Sequence, residues 1–98
     1  MKLLLTGSTG FLGGALQKKL NDYDLILTSR SGAKENSLTH FKKTISSREN
    51  FLDCLHDVEV VVHTAARVHQ MNDVADDPLK EFMETNCYGT LNLANQAA

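Results

Sequence analysis

The sequence lacks the features that mark several large classes of protein. No apolar run approaches the roughly 20 residues that a membrane-spanning helix requires, and the run after Lys2 is only three residues long, too short for a secretory signal peptide. The formal net charge is −2, so no excess of either sign indicates binding to nucleic acid or to a membrane surface. We therefore expect a cytoplasmic protein whose partners include neither nucleic acid nor membrane.

Metal-binding patterns are also missing from the sequence. The two cysteines, Cys54 and Cys87, have no metal-type spacing, and we interpret both as reduced residues packed within helices. The histidines follow no metal-ligand spacing either; they are His40, His56, His63 and His69. We place His63 at a strand end and expect the others in solvent. The acidic residues within 73–77 are interpreted as part of a solvated loop, so we predict no metal site.

What the sequence does contain is an alternation of two kinds of apolar segment. Strands are predicted at residues 2–6, 25–29, 41–45 and 58–63, and helices at residues 11–20, after a capping box at residues 46–49, and from residue 78 onward. Parallel strands joined by right-handed crossovers accommodate this order. With 98 residues, 42% of them hydrophobic, the chain has the make-up of one globular domain. We predict an α/β, Rossmann-like three-layer fold whose parallel sheet has strand order 3-2-1-4 and is incomplete.

The spacing of apolar residues predicts which surfaces of these elements are buried. In the first helix they are Phe11, Leu12, Ala15, Leu16 and Leu20, and in the second Phe51, Leu52 and Leu55. In the last helix, capped by Asp77 and begun by Pro78, they are Leu79, Phe82, Met83, Asn86, Cys87, Thr90, Leu91, Ala94 and Ala98. Gly89 costs about 1 kcal/mol inside a helix, which indicates that another group packs closely against it. The valines at 60–62 do not alternate with polar residues, as expected of a strand covered on both faces.

Three glycines lie between the first strand and the first helix. Gly7 allows a sharp turn, Gly10 removes a side chain where a pyrophosphate would approach the helix, and Gly13 allows close packing of that helix. The amino terminus of a helix presents N–H groups and a positive dipole end to an anion. Because a strand precedes the loop and a helix follows it, the spacing favours a dinucleotide-phosphate site over a glycine-rich surface turn.

The Gly-x-x-Gly-x-x-Gly spacing of this loop resembles that of the extended short-chain dehydrogenases/reductases, the group of NAD-dependent epimerases and dehydratases. Residues 58–66 resemble the family's fourth strand with its His-x-Ala-Ala ending, and residues 86–93 resemble its Asn-x-x-Gly-Thr-x-Asn-Leu helix. Residues 67–73, with Asp77 and Pro78, are most similar to bacterial nucleotide-sugar epimerases. The resemblance implies that residues 1–98 are the amino-terminal part of a single NAD(P)-binding Rossmann domain.

The resemblance also implies a set of cofactor-binding residues. Toward the pyrophosphate these are Gly7, Thr9, Gly10, Phe11, Leu12 and Gly13. Thr64, Ala65 and Ala66 would line the ribose and nicotinamide side, at the edge where open α/β sheets bind ligands. The alternative is a strand-to-loop connection without a cofactor, which would favour the same small residues. Asn86 would help to order the active site. Since a buried unpaired amide costs roughly 1–3 kcal/mol, a bond from Asn86 to a nearby loop carbonyl is the alternative.

Two positions depart from the family's pattern and bear on the cofactor. Arg30 ends the second strand, where an acidic residue would bind the ribose 2′-hydroxyl of NAD, and its guanidinium favours the 2′-phosphate of NADP. Thr44 stands where the family often has an aspartate beside adenine, whereas Ile45 would still cover the ring. The expected cofactor is therefore NAD or NADP, with NADP favoured by Arg30.

The family's catalytic pair, Tyr-x-x-x-Lys, is missing. Tyr23 is followed four residues later by Leu27, and Tyr88 by Asn92. We assign no catalytic residue and expect residues 1–98 alone to be inactive. For a longer polypeptide the resemblance implies a homodimeric nucleotide-sugar epimerase or dehydratase that works by transient hydride transfer at a sugar carbon. An NADP-dependent carbonyl reductase and a non-catalytic NAD(P)-sensing module are the alternatives.

Overall fold

The computed structural model describes residues 1–31, 39–66 and 77–98. Its strands are β1 (Lys2–Thr6), β2 (Asp24–Ser29), β3 (His40–Lys42) and β4 (Val60–His63). Its α-helices are α1 (Phe11–Lys19), α2 (Pro78–Met83) and α3 (Thr90–Ala97), and a π-helical turn (Glu84–Gly89) joins the last two. No helix in these ranges is long and apolar enough to cross a membrane.

The four strands form one sheet in the order β3-β2-β1-β4. All three pairings are parallel, and in the central one Leu4 of β1 lies opposite Ile26 of β2. On its other side Leu4 lies opposite Val61 of β4. The predicted α/β architecture and the strand order 3-2-1-4 are confirmed. The carboxyl ends of β1, β2 and β4 therefore meet at one edge of the sheet.

The hydrophobic core is centred on β1. The side chains of Leu4 and Leu5 are completely buried, and the core cluster consists of Leu4, Ile26, Ile45, Phe51, Cys54 and Leu93. These residues come from the sheet, from the segment after β3 and from α3. Strand β4 is less covered than predicted, with Val60 42% exposed, because it is the outermost strand of the described sheet.

The predicted apolar face of α1 is wrong. Phe11 is 99% exposed and Leu12 57% exposed, and the buried residue of this helix is Gly13. A Cβ atom at Gly13 would overlap the carbonyl oxygen of Gly7. Contact between the two glycine backbones therefore determines which side of α1 faces the sheet, and the large apolar side chains of its first turn lie outside that contact.

The helix predicted after residues 46–49 is also absent from the described structure. Only a single turn forms, in which the amides of Cys54 and Leu55 both donate to the carbonyl of Phe51. The Glu49 carboxylate accepts from the amide of Thr44 rather than closing a capping box. Hydrogen bonds between side chains and the backbone compete with the backbone hydrogen bonds of a helix. Cys54 accordingly lies in a turn, not in a helix.

The last helix begins as predicted, because the Asp77 side chain accepts from the amide of Lys80 at 3.1 Å. Its predicted apolar stripe is wrong: Leu79, Phe82, Met83 and Leu91 are exposed, whereas Gly89 and Leu93 are buried. The π-helical turn has i→i+5 bonding and more residues per turn than an α-helix. A spacing of 3.6 therefore does not continue unbroken from residue 79 to residue 98.

Candidate functional site: a cavity at the carboxyl ends of the strands

The glycine loop leaves β1 through a left-handed residue. Gly7 has φ +66°, and a Cβ atom there would lie 2.7 Å from Thr64 Oγ1 and 2.8 Å from the Ala65 nitrogen. The Ser8 amide donates to the carbonyl of Thr28 at 3.1 Å. The loop is thus bonded to β2 on one side and contacts the end of β4 on the other, so glycine is required at position 7 for both conformation and space.

Helix α1 begins directly after this loop. Its first intrahelical bond runs from the Gly14 amide to the carbonyl of Gly10, at 2.8 Å. Gly10 is the N-cap of this helix, and among the described residues it has no side-chain cap hydrogen bond. The amides of residues 11–13 precede that first bond, and such amides at a helix amino terminus favour an anion.

A cavity of about 410 Å³ opens beside the glycine loop. It is lined by Gly7, Thr9, Gly10, Thr28, Ser29, Arg30, Lys43, Thr44, Ile45, Thr64, Ala65, Ala66, Glu81 and Thr85. The structure therefore brings together most of the residues predicted for the cofactor, from the loop to the ends of β2 and β4. Phe11, Leu12, Gly13 and Asn86 are not part of this lining.

Several lining residues were not predicted: Thr28, Ser29, Lys43, Glu81 and Thr85. The first three lie at or just beyond the carboxyl ends of β2 and β3, where an open α/β sheet binds its ligands. Their position in the sheet could have indicated them. Glu81 and Thr85 come from α2 and the π-helical turn, and no sequence signal placed them at the cavity.

The charge of Lys43 is largely neutralised within the wall. Its Nζ lies 2.8 Å from Asp53 Oδ1 and donates to the Asn50 carbonyl at 2.7 Å. Arg30 is exposed at the end of β2. Of these two lining cations, Arg30 is the one placed to meet a phosphate that enters from solvent.

His40 bonds to a residue of the cavity lining, Ser29, contrary to the prediction that it is solvated. It is half-buried in β3, with Nε2 2.8 Å from Ser29 Oγ and 3.4 Å from Ser8 Oγ. Ser8 and Ser29 are both buried. The histidine therefore links the end of β2 to the glycine loop. His56 is exposed as predicted, and His69 lies outside the described residues.

His63 lies at the end of β4, as predicted, and its bonding fixes its tautomer. Thr6 Oγ1 accepts from the amides of Thr64 and Ala65, at 3.0 and 3.2 Å. Its own proton is thereby directed to His63 Nδ1, 2.6 Å away. The Nε2–H of His63 then donates to Thr90 Oγ1 at 3.0 Å. The neutral ring connects α3 to the loop at the cavity, and burial lowers its pKa below the ordinary 6.5.

The predictions for Asn86 and Gly89 have different outcomes. Asn86 is half-buried in the π-helical turn and has an interacting partner, so the loop-carbonyl interpretation and the active-site interpretation both stay predictions. The close packing predicted at Gly89 is confirmed. A Cβ atom there would lie 2.7 Å from Ile45 Cγ2 and 2.9 Å from the Ser46 nitrogen.

The comparisons with known proteins agree with this geometry. The model of the NAD dependent epimerase/dehydratase family matches residues 3–98. The chain belongs to this family. It is 41% identical over 99 aligned residues to a UDP-glucose 4-epimerase of Vibrio cholerae, an alignment covering 97% of this chain and 30% of that protein. It is 30% identical over 105 residues to a putative UDP-glucose 4-epimerase of Methanocaldococcus jannaschii, covering 93% of this chain and 32% of the relative.

The chain therefore spans about a third of the length of the curated relatives it matches. No solved structure matches it significantly. Family membership, the parallel sheet and the glycine-loop cavity all coincide on the same residues. The site at the carboxyl ends of β1, β2 and β4 is the candidate cofactor site of an epimerase/dehydratase domain.

Proposed function

We propose that this chain binds NAD or NADP in the cavity beside the glycine loop and forms the cofactor-binding part of a nucleotide-sugar epimerase or dehydratase. The observation that carries the proposal is that Gly7 and Gly10, in the loop directly before the amino terminus of α1, line one side of a cavity of about 410 Å³. A backbone without side chains, followed by a helix amino terminus, suits a pyrophosphate.

The two ends of the cavity suit the two halves of the cofactor. Arg30 and Ile45 lie at the ends of β2 and β3, which is the adenosine side of such sites. Thr64, Ala65 and Ala66 follow β4 and offer the small side chains that a ribose and nicotinamide would need. Gly13 would act through packing, whereas residues 11 and 12 would offer backbone amides rather than their exposed side chains.

The proposed substrate is a nucleotide sugar, since the two relatives are a UDP-glucose 4-epimerase and a putative UDP-glucose 4-epimerase. The cofactor would accept a hydride from a sugar hydroxyl carbon and later return it. Tyr23 and Tyr88 are exposed and lie outside the cavity lining, so we assign proton transfer to neither of them. In the whole polypeptide the acid–base residues would come from beyond these 98 positions.

A second candidate, an NADP-dependent carbonyl reductase, is favoured by one observation. The exposed guanidinium of Arg30 at the adenosine side suits a 2′-phosphate better than two ribose hydroxyls. A reductase transfers the hydride of its cofactor to the product and leaves the cofactor oxidised. An epimerase takes a hydride from the sugar and returns it to the sugar, so its cofactor is unchanged after each turnover. We also propose a homodimer, as the resemblance to the family implies.

The test is a calorimetric titration of NAD and NADP into the polypeptide that carries this chain, followed by turnover assays with UDP-glucose and with simple ketones. We expect saturable binding of at least one dinucleotide and interconversion of the sugar epimers without net cofactor reduction. Stoichiometric oxidation of NADPH would support the reductase instead. Binding without either turnover would assign a non-catalytic sensing module, and no binding of either dinucleotide would refute the proposal.

A further inference from the structure

The segment of residues 45–51 connects the cavity to the core without regular secondary structure. Ile45 lines the cavity and is 6% exposed, and Phe51 at the other end is fully buried. Because the segment forms neither helix nor strand, its backbone groups need partners from elsewhere in the molecule.

Two amide side chains of α3 supply those partners. Asn92 Nδ2 donates to the carbonyls of Ser46 and Glu49, at 2.9 and 2.8 Å. Gln96 Nε2 also donates to the Glu49 carbonyl, at 2.8 Å, and Gln96 Oε1 accepts from the Phe51 amide at 2.7 Å. We call Asn92 and Gln96 the amide clamp.

The clamp uses every hydrogen of its two amide groups. The two hydrogens of the Asn92 amide go to two backbone carbonyls. One hydrogen of the Gln96 amide goes to the Glu49 carbonyl, and the other goes to Asn92 Oδ1 at 2.7 Å. Turning either amide over would place an oxygen against a carbonyl oxygen. The arrangement therefore has one orientation, and it fixes the backbone from residue 46 to residue 51.

Two further contacts place the start of this segment against the π-helical turn. Ile45 packs on Gly89 so closely that no larger residue fits, and both the amide and the hydroxyl of Ser47 donate to Glu84 Oε1, at 2.8 and 2.6 Å. The side chain of Ile45 is thereby held at the cavity wall by its contact with Gly89 and by the bond from Asn92 to the next residue, Ser46.

We propose that Asn92 and Gln96 are positioning residues for the adenine ring of the cofactor, acting through Ile45. The proposal rests on the proposed function, because it takes the β3 side of the cavity as the adenosine side. Without the clamp the segment gains other conformations, and a ligand must select the competent one, which lowers its apparent affinity. Only ligands that carry adenine should be affected.

The experiment compares ADP, which has the adenosine diphosphate half, with nicotinamide mononucleotide, which has no adenine. We expect Asn92→Ala to weaken ADP and NAD by roughly fivefold to twentyfold and to leave nicotinamide mononucleotide within twofold. Asn95→Ala is the matched control, because Asn95 is an exposed amide of the same helix. Gln96→Ala, which leaves the Ser46 bond intact, should weaken ADP less.

A measurement on the unaltered protein covers the case in which the variants fail to fold. Hydrogen exchange of the Phe51 amide, bound to Gln96 Oε1, should slow when ADP is added and stay unchanged with nicotinamide mononucleotide. Equal loss of both ligands in the variants, or no slowing of Phe51 exchange by ADP, would overturn the proposal. Failure of the unaltered protein to bind ADP, NAD or NADP would instead refute the proposed function.

Discussion

Gly13 of helix α1 lies against the carbonyl group of Gly7, so close that a Cβ atom at position 13 would overlap the oxygen. Gly14, the next residue, has ordinary space, because a Cβ atom there would lie 3.9 Å from the Ser8 carbonyl oxygen. The two neighbouring glycines therefore have opposite roles. One is required by packing, and the other carries only the entropic cost of glycine in a helix.

This difference predicts opposite effects of the same substitution. Gly13→Ala should destabilise the fold by more than about 2 kcal/mol, because the helix must move away from the loop. Gly14→Ala should stabilise it by roughly 0.5–1 kcal/mol, since alanine is the better helix former. Urea unfolding of the two variants measures both effects. Equal changes in unfolding free energy would show that the contact with Gly7 does not hold the helix.

The choice of cofactor depends on Arg30. If its guanidinium pairs with a 2′-phosphate, Arg30→Asp should weaken NADP by roughly tenfold or more, reduced by screening at this exposed position. NAD affinity should hold or improve, because the new carboxylate accepts from the ribose hydroxyls. Titration of both nucleotides checks this, with Lys18→Asp as a control of equal charge change at an exposed site of α1. Equal losses for the two nucleotides would remove the case for NADP.

The neutral His63 ring predicts a pH dependence of stability. Its pKa in the folded protein lies below 6.5 because of burial, so below pH 6.5 the unfolded state takes up a proton that the folded state resists. The unfolding free energy should therefore fall as the pH drops below 6.5, with a slope of up to about 1.4 kcal/mol per pH unit from this group. Urea titrations at pH 7.5 and 5.5 should show a smaller fall in His63→Gln, whose other histidines are unchanged. An equal fall in both proteins would contradict the lowered pKa of His63.

The two cysteine thiols should differ in reactivity. Cys54 is 2% exposed and donates to the Phe51 carbonyl, and burial raises its pKa to about 11. Cys87 is only half-buried. A thiol reagent at pH 8 should therefore modify one cysteine per folded chain quickly and the second only after denaturation. Cys87→Ser should abolish the fast phase, and rapid modification of Cys54 in that variant would show that the core opens there.

Much of the fold could be predicted because its determinants are local in sequence. The alternation of segments and the turn at Gly7 were enough for a parallel sheet in the observed order. A single unfavourable residue, Gly89, was enough to indicate the close contact that Ile45 makes. The cavity wall at the glycine loop and after β4 could also be predicted, because the parallel strands end at the same edge of the sheet.

The rest depended on partners far away in the chain. Residues 46–55 have the apolar spacing of a helix, but Asn92 and Gln96 bind the backbone of their first part from more than 40 positions away. Similarly, the exposure of Phe11 follows from the Gly7–Gly13 contact rather than from its own hydrophobicity. Spacing alone does not reveal a π-helical turn, so it could not indicate that Leu93 would be the buried leucine of α3.

The most direct test is the structure of the polypeptide that carries this chain with a bound dinucleotide. We predict that the pyrophosphate oxygens lie within hydrogen-bond distance of the backbone amides of residues 11 and 12, with adenine beside Ile45 and nicotinamide toward Ala65. A dinucleotide bound elsewhere on the folded protein, with the glycine loop left in solvent, would contradict the assignment of this cavity as the cofactor site.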